Sequence, residues 1–138
     1  MKSQELIGLR LPSTRATVDK GRVRTFRRVV GSPGSNDDTA PLTYLFALEM
    51  LESDRPLAFV EDLGVDLGSV LHSEQSFEYH HPVHVGDELS FDSEVADVFE
   101  KKNGALLFVI QKTAVTRADG VAVADLTRTL VVRNGGNN

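Results

Sequence analysis

Pro41-Leu42-Thr43-Tyr44-Leu45-Phe46-Ala47-Leu48-Glu49-Met50-Leu51 is the stretch on which the fold depends. Proline is tolerated at the start of a helix, where its missing N–H would have had no partner. From Leu42 to Leu51 the residues then read as a helix that is apolar almost all round. Such a helix cannot lie on a surface and must be wrapped on most sides by other elements. Asp54-Arg55-Pro56 ends it, because proline disfavours helical geometry in the residue before it.

The C-terminal half of the chain supplies the wrapping. Ser76 to Tyr79 alternates, Leu89, Phe91, Ser93 and Val95 share one strand face, and Leu106–Val115 and Val121–Arg133 are long runs rich in β-branched residues. Lys102-Asn103-Gly104 and Ala118-Asp119-Gly120 offer turns of the kind that join right-twisted antiparallel strands. Toward the N-terminus, Val23, Phe26, Val29 and Val30 fall on one side of a helix spanning Val18–Gly31, which Gly31 can end at positive φ. Lys20, Arg24, Arg27 and Arg28 project from the opposite side. Ser32 to Asp38 is a run of turn formers and reads as an exposed loop. One buried helix followed by long antiparallel strands predicts an α+β hot-dog fold, a long antiparallel sheet wrapped around one central apolar helix. The whole chain, residues 1–138, reads as a single domain in which residues 1–15 are a flexible or edge segment and residues 134–138 a frayed tail.

Composition narrows the chemistry. A chain of 138 residues with 41% hydrophobic content can bury a core unaided. With no cysteine it has no thiolate nucleophile, thiolate metal site or disulfide. The formal charge of -5 argues against general binding to nucleic acid. Up to Gly31, however, eight Lys and Arg residues face only Glu5 and Asp19. No run approaches the roughly 20 apolar residues that cross a bilayer, and Met1 to Arg10 carries no signal-like core, so a soluble cytoplasmic chain without membrane partners is expected.

The segment from Leu71 to Leu89, LHSEQSFEYHHPVHVGDEL, resembles the central strand signature of the FAS1-like dehydratase domain, the N-terminal part of MaoC-like hydratase/dehydratases. Three more pieces match in order: Gly21 to Phe26 before a Val-Gly helix end, Ala40 to Leu45 opening the central helix, and a last strand ending Thr129 to Arg133. The resemblance runs from Val18 to Arg133. It implies a hot-dog fold, a sheet continued across a dimer interface, no cofactor, and acyl-CoA or acyl-carrier-protein thioesters undergoing reversible hydration and dehydration. It also implies an Asp/His pair, in a Gly-Asp-x-Asn-Pro-x-His motif before the central helix. Here Gly31 to Ala40 holds neither a histidine nor an Asn-Pro pair, and His72, His80, His81 and His84 all follow the helix. The expectation is therefore a subunit completed by a partner, in a homodimer or in a heterodimer with a motif-bearing MaoC-like chain. A hot-dog acyl-CoA thioesterase, with Glu49 as its base, and a non-catalytic acyl-binding subunit are the alternatives.

Hydrating an enoyl thioester needs an acid, a base and hydrogen-bond donors for the carbonyl. His72 and Glu74, two residues apart and so on one strand face, form the candidate catalytic pair, although a plain hydrogen-bonded pair would look the same. Gln75 joins them, and Thr43 and Tyr44 lie at the first helical turn, where backbone donors gather. Arg24 and Arg28 can meet coenzyme A phosphates or an acidic carrier protein, although a solvated helix face is the commoner explanation of such residues. Asp37 and Asp38 read as turn formers. Alternating faces separate His80 from His81, so no metal centre is expected.

Overall fold

A computed structural model describes residues 3–31, 38–54, 57–62 and 65–133. The expected loop at residues 32–37, including Asp37, the helix stop at Arg55-Pro56, Gly64 and the tail at 134–138 lie outside the described residues.

Five antiparallel strands form one sheet among the described residues: β1 (Thr14–Thr17), β2 (Val70–Tyr79), β3 (Glu88–Lys101), β4 (Leu106–Arg117) and β5 (Ala122–Arg133), in the order β1-β3-β4-β5-β2. Both hairpin turns form where the sequence puts them. Lys102 and Asn103 take φ of 54° and 57° and Gly104 of 85°, the left-handed geometry that a tight turn between twisted strands requires. Gly120 takes φ of 88°. From Ser3 onward, the described part of the first segment lies along the sheet's β3 side. Leu6, in a single 3-10 turn, is 5% exposed, Arg10 bridges to Glu94, and β1 pairs with β3.

Three helices among the described residues accompany the sheet: α1 (Lys20–Val29), α2 (Tyr44–Glu52) and α3 (Ala58–Asp62). Asp19 caps α1 by accepting a 2.9 Å bond from the Arg22 N–H, and Gly31 follows its end at φ 77°. The apolar side of α1 is narrower than expected: Val23 is buried and Phe26 packs against Tyr44, but Val29 is 78% exposed. The central helix α2 begins later than expected and is wrapped less completely. Leu42 and Thr43 form the turn before it, the Tyr44 N–H donating to the Pro41 carbonyl. Tyr44, Leu45, Leu48 and Glu49 face the sheet, while Leu42 and Leu51 are 68% and 63% exposed. The sheet covers one side of α2, so the residues of its other side meet solvent in the single chain.

The core falls into two clusters. One gathers Tyr44, Leu45, Leu48, Phe91 and Leu126 under α2, and the other gathers Leu6, Val60, Val98, Val109 and Leu130. On the sheet's outer face Phe99, Phe108, Val131 and Leu71 are successive cross-strand partners. The Phe99 and Phe108 rings stack at 5.0 Å beneath the Lys101 ammonium. This apolar row ends on β2, whose only sheet partner among the described residues is β5.

Candidate functional site

Polar side chains separate the two core clusters. Strand residues alternate between faces, and the buried positions of β3, β4 and β5 are apolar except at Ser93, Gln111, Thr113 and Arg128. Register brings them together: Ser93 lies opposite Thr113, Gln111 opposite Arg128, and Arg128 opposite Gln75 on β2. Glu49 reaches down from α2 to meet this layer. Its Oε1 accepts a 2.8 Å bond from Arg128 Nη2, and its Oε2 accepts a longer 3.4 Å bond from Ser93 Oγ. Ser93 and Thr113 hydroxyls share a 2.7 Å bond, and Arg128 Nε donates to Gln75 Oε1 at 3.2 Å. Glu49 and Arg128 are 7% and 4% exposed. Two ions so deeply buried are tolerable only as a hydrogen-bonded pair.

Glu49, which the sequence offers either as the base of a thioesterase or as a residue that faces solvent or caps a core edge, is a buried partner of Arg128, with both oxygens engaged. Sequence reasoning misses Arg128, Ser93, Gln111 and Thr113 as site residues. Their signal is present as polar residues at inward parity, as in Val109-x-Gln111-x-Thr113-x-Val115 and Leu126-x-Arg128-x-Leu130.

The candidate pair His72 and Glu74 is not assembled. The register shifts between them, so that His72 lies opposite Leu130 and Glu74 opposite Thr129. The extra residue, Ser73, forms a β-bulge that turns the next positions to the other face. His72 therefore shares the inner side with Gln75, while Glu74 takes the outer side. The imidazole packs on the Phe46 ring at 5.0 Å, and the Arg128 guanidinium lies 5.1 Å from that ring. Partial burial, and then the nearby Arg128 charge, hold the His72 pKa below its usual value. Hydrogen bonds to the Gln75 side chain and the Glu74 backbone oppose that shift. Burial and the Arg128 charge both favour the uncharged form of the ring.

The other expected residues are dispersed. Thr43 is exposed at the start of α2 with its side chain making no capping bond. Tyr44 is 1% exposed in the core, so it supports α2 and does not present itself to a ligand; its hydroxyl has no hydrogen-bond partner among the described residues. Desolvation raises its pKa. Arg24 and Arg28 are exposed on α1, away from the polar layer, whose buried carboxylate is held by Arg128. Nearby, the Tyr79 hydroxyl donates to the Leu42 carbonyl, tying β2 to the turn before α2, and desolvation pushes its pKa up to about 12. His80 pairs with Asp125 at 2.9 Å. Among the described residues no three His, Asp or Glu side chains converge as metal ligands would. No helix among them is long and apolar enough to cross a membrane.

The polar layer opens on a cleft of about 620 Å³ between the Leu9–Arg15 segment and the end of α2 with α3. Glu49, Ser93, Gln111 and Arg128, all buried, are among the residues that line it.

The family model described as FAS1-like, dehydratase domain region, matches residues 5–126. A UPF0336 protein of Clavibacter michiganensis subsp. michiganensis (strain NCPPB 382) is 33% identical over 143 residues, covering 94% of each chain. Among solved structures, a chain of the C-terminally truncated HadBC (3R-hydroxyacyl-ACP dehydratase) complex from Mycobacterium tuberculosis superposes with a TM-score of 0.74 at 25% identity, over 94% of this chain and 99% of that one. A chain of the ChsH1-ChsH2 complex from the same organism gives 0.70 at 17% identity, over 93% and 91%, a likeness of fold alone. With an antiparallel sheet curled over its central helix and a family match along most of its length, the chain belongs to the FAS1-like dehydratase family of MaoC-like hot-dog proteins.

Proposed function

We propose that this chain is one half of an acyl-thioester dehydratase or enoyl-thioester hydratase whose acid/base motif comes from a partner hot-dog subunit. The carrying observation is the open strand β2. It has one sheet neighbour among the described residues, and it carries His72 and Gln75 along its inner side beside Phe46 of α2. A partner strand added to that edge would extend the sheet and the outer apolar row ending at Leu71, 51% exposed. Two of the structural relatives are, by name, complexes of unlike subunits, and one is a 3R-hydroxyacyl-ACP dehydratase.

In this reading the partner supplies the Asp and His missing from Gly31 to Ala40. Here His72 and Thr43 contact the thioester end, His72 as a proton donor or acceptor oriented by the Gln75 side chain and not by the Glu74 carboxylate. Arg24 and Arg28 meet the phosphates of coenzyme A or a carrier protein. Against Glu49 as a thioesterase base stands its geometry: both carboxylate oxygens are engaged inside the buried layer, one by Arg128 and the other by Ser93.

The test is enoyl-CoA hydration by the purified chain, alone and with a co-expressed MaoC-like partner carrying Gly-Asp-x-Asn-Pro-x-His. Turnover should appear only with the partner. Hydration by the chain alone refutes the incomplete site, and release of free thiol from acyl-CoA would move the assignment to a thioesterase.

A further inference from the structure

The open edge of β2 carries a charge pattern that bears on what can pair with it. Beyond the bulge at Ser73 the strand alternates without interruption. Glu74, Ser76 and Glu78 are exposed on the outer side, and Gln75, Phe77 and Tyr79 are half-buried on the inner side. Neither carboxylate has an ion-pair partner among the described residues. Asp125 of β5 stands opposite Glu78 as a third acid, and His80 meets it at 2.9 Å. On the same side the register puts Lys112 two strands away, behind Ser76 and Thr127, and Arg133 past Leu71 at the other end of β2. The outer side of the edge from Glu74 to Glu78 is therefore acidic.

Two antiparallel strands set outward residues against outward residues, roughly 5 Å apart when directly opposite and about 7–8 Å on the diagonal. A second copy of the chain joined through β2 by a two-fold axis meets its own pattern. With the axis at Ser76, Glu74 of each copy faces Glu78 of the other. With the axis at Glu74 or at Glu78, that carboxylate faces its own counterpart. With the axis at Gln75, Phe77 or Tyr79, carboxylates of the two copies become diagonal neighbours. Like charges so placed are destabilising. Charge on an open edge is a common guard against unwanted pairing. Here it leaves Leu71, 51% exposed, and the half-buried Phe77 and Tyr79 for a chosen strand to cover.

From this pattern we infer that the β2 edge discriminates against a second copy of this chain and takes an unlike hot-dog chain, whose edge strand presents lysine or arginine to Glu74 and Glu78. Specificity of this kind is a difference between two affinities, and repulsion in the wrong pair supplies part of it. The charge rule rests on the open-edge assembly proposed above, yet each fails by its own result. Self-pairing of the unaltered chain overturns the charge rule alone, whereas a correctly paired complex without hydration overturns the dehydratase assignment alone.

The Glu74→Lys/Glu78→Lys variant serves as a chain of the same fold with a cationic edge. Sedimentation is measured for the unaltered chain, for the variant, and for their equimolar mixture at low salt. The mixture should dimerise about tenfold more tightly than either chain alone, because two symmetry-related pairs change from like to unlike charge. That advantage should shrink in about 1 M salt, where charges act over only about 3 Å. In the mixture the β2 amides should gain protection from hydrogen exchange. Glu74→Gln/Glu78→Gln, which only removes the repulsion, should self-associate more than the unaltered chain and stands in if the lysine variant does not fold. Self-association of the unaltered chain as tight as that of the mixture, a mixture that stays single-chain, or pairing that leaves the β2 amides unprotected would each overturn the inference.

Discussion

Arg128 is the residue on which the interior depends most. Remove it, and the Glu49 carboxylate stays in a nearly dry layer with only the 3.4 Å Ser93 contact. Arg128→Met should therefore lose roughly 3–5 kcal/mol in denaturant unfolding. Adding Glu49→Leu should restore most of that loss, because the double variant strands no charge. His72 gives a second, pH-dependent effect. Its pKa is lowered in the folded chain, so the unfolded chain binds the proton more readily below about pH 6.5. The stability linked to this ring is complete above that pH and is lost as pH falls through the depressed folded value. Relative to His72→Gln, the unaltered chain should lose stability on acidification across this window, read as the difference between two melting profiles. Neither effect is legible in the residues as a string. Glu49 sits among Leu48, Met50 and Leu51, and only the sheet register reveals that an arginine 79 positions later meets it.

At the scale of elements the sequence is more transparent. The strands and hairpins are readable because alternation and turn chemistry are local, and the end of α1 at Gly31 for the same reason. The features that escape are set by tertiary contact: the delayed start of α2, the short α3, and the bulge at Ser73. A strict count of two puts His72 and Glu74 on one face, and one inserted residue reverses that. Deleting Ser73 should therefore be costly although its side chain is exposed. Continuous register would turn out either Val70 with His72, or Gln75, Phe77 and Tyr79. The cost should be about 2 kcal/mol for one apolar side chain displaced, seen as a lower denaturation midpoint, and more if the aromatic end moves.

For the whole molecule, the free side of β2 and the exposed part of α2 together describe a half-finished surface. If the proposed pairing forms there, Leu71→Lys should shift sedimentation of the mixed subunits from the paired to the single-chain species, since a charge on an edge strand discourages further pairing. The strand order carries one more implication. β5, which follows β4 in sequence, lies between β4 and β2, so among the described strands β2 has no neighbour until β5 has been synthesised. On the ribosome the earlier strands must wait, with Leu71 and Phe77 uncovered, for a strand that does not yet exist. Arrival of β5, and not collapse of the early helices, then becomes the event that closes the sheet, and until then the apolar side chains of β2 stay exposed to association with other chains.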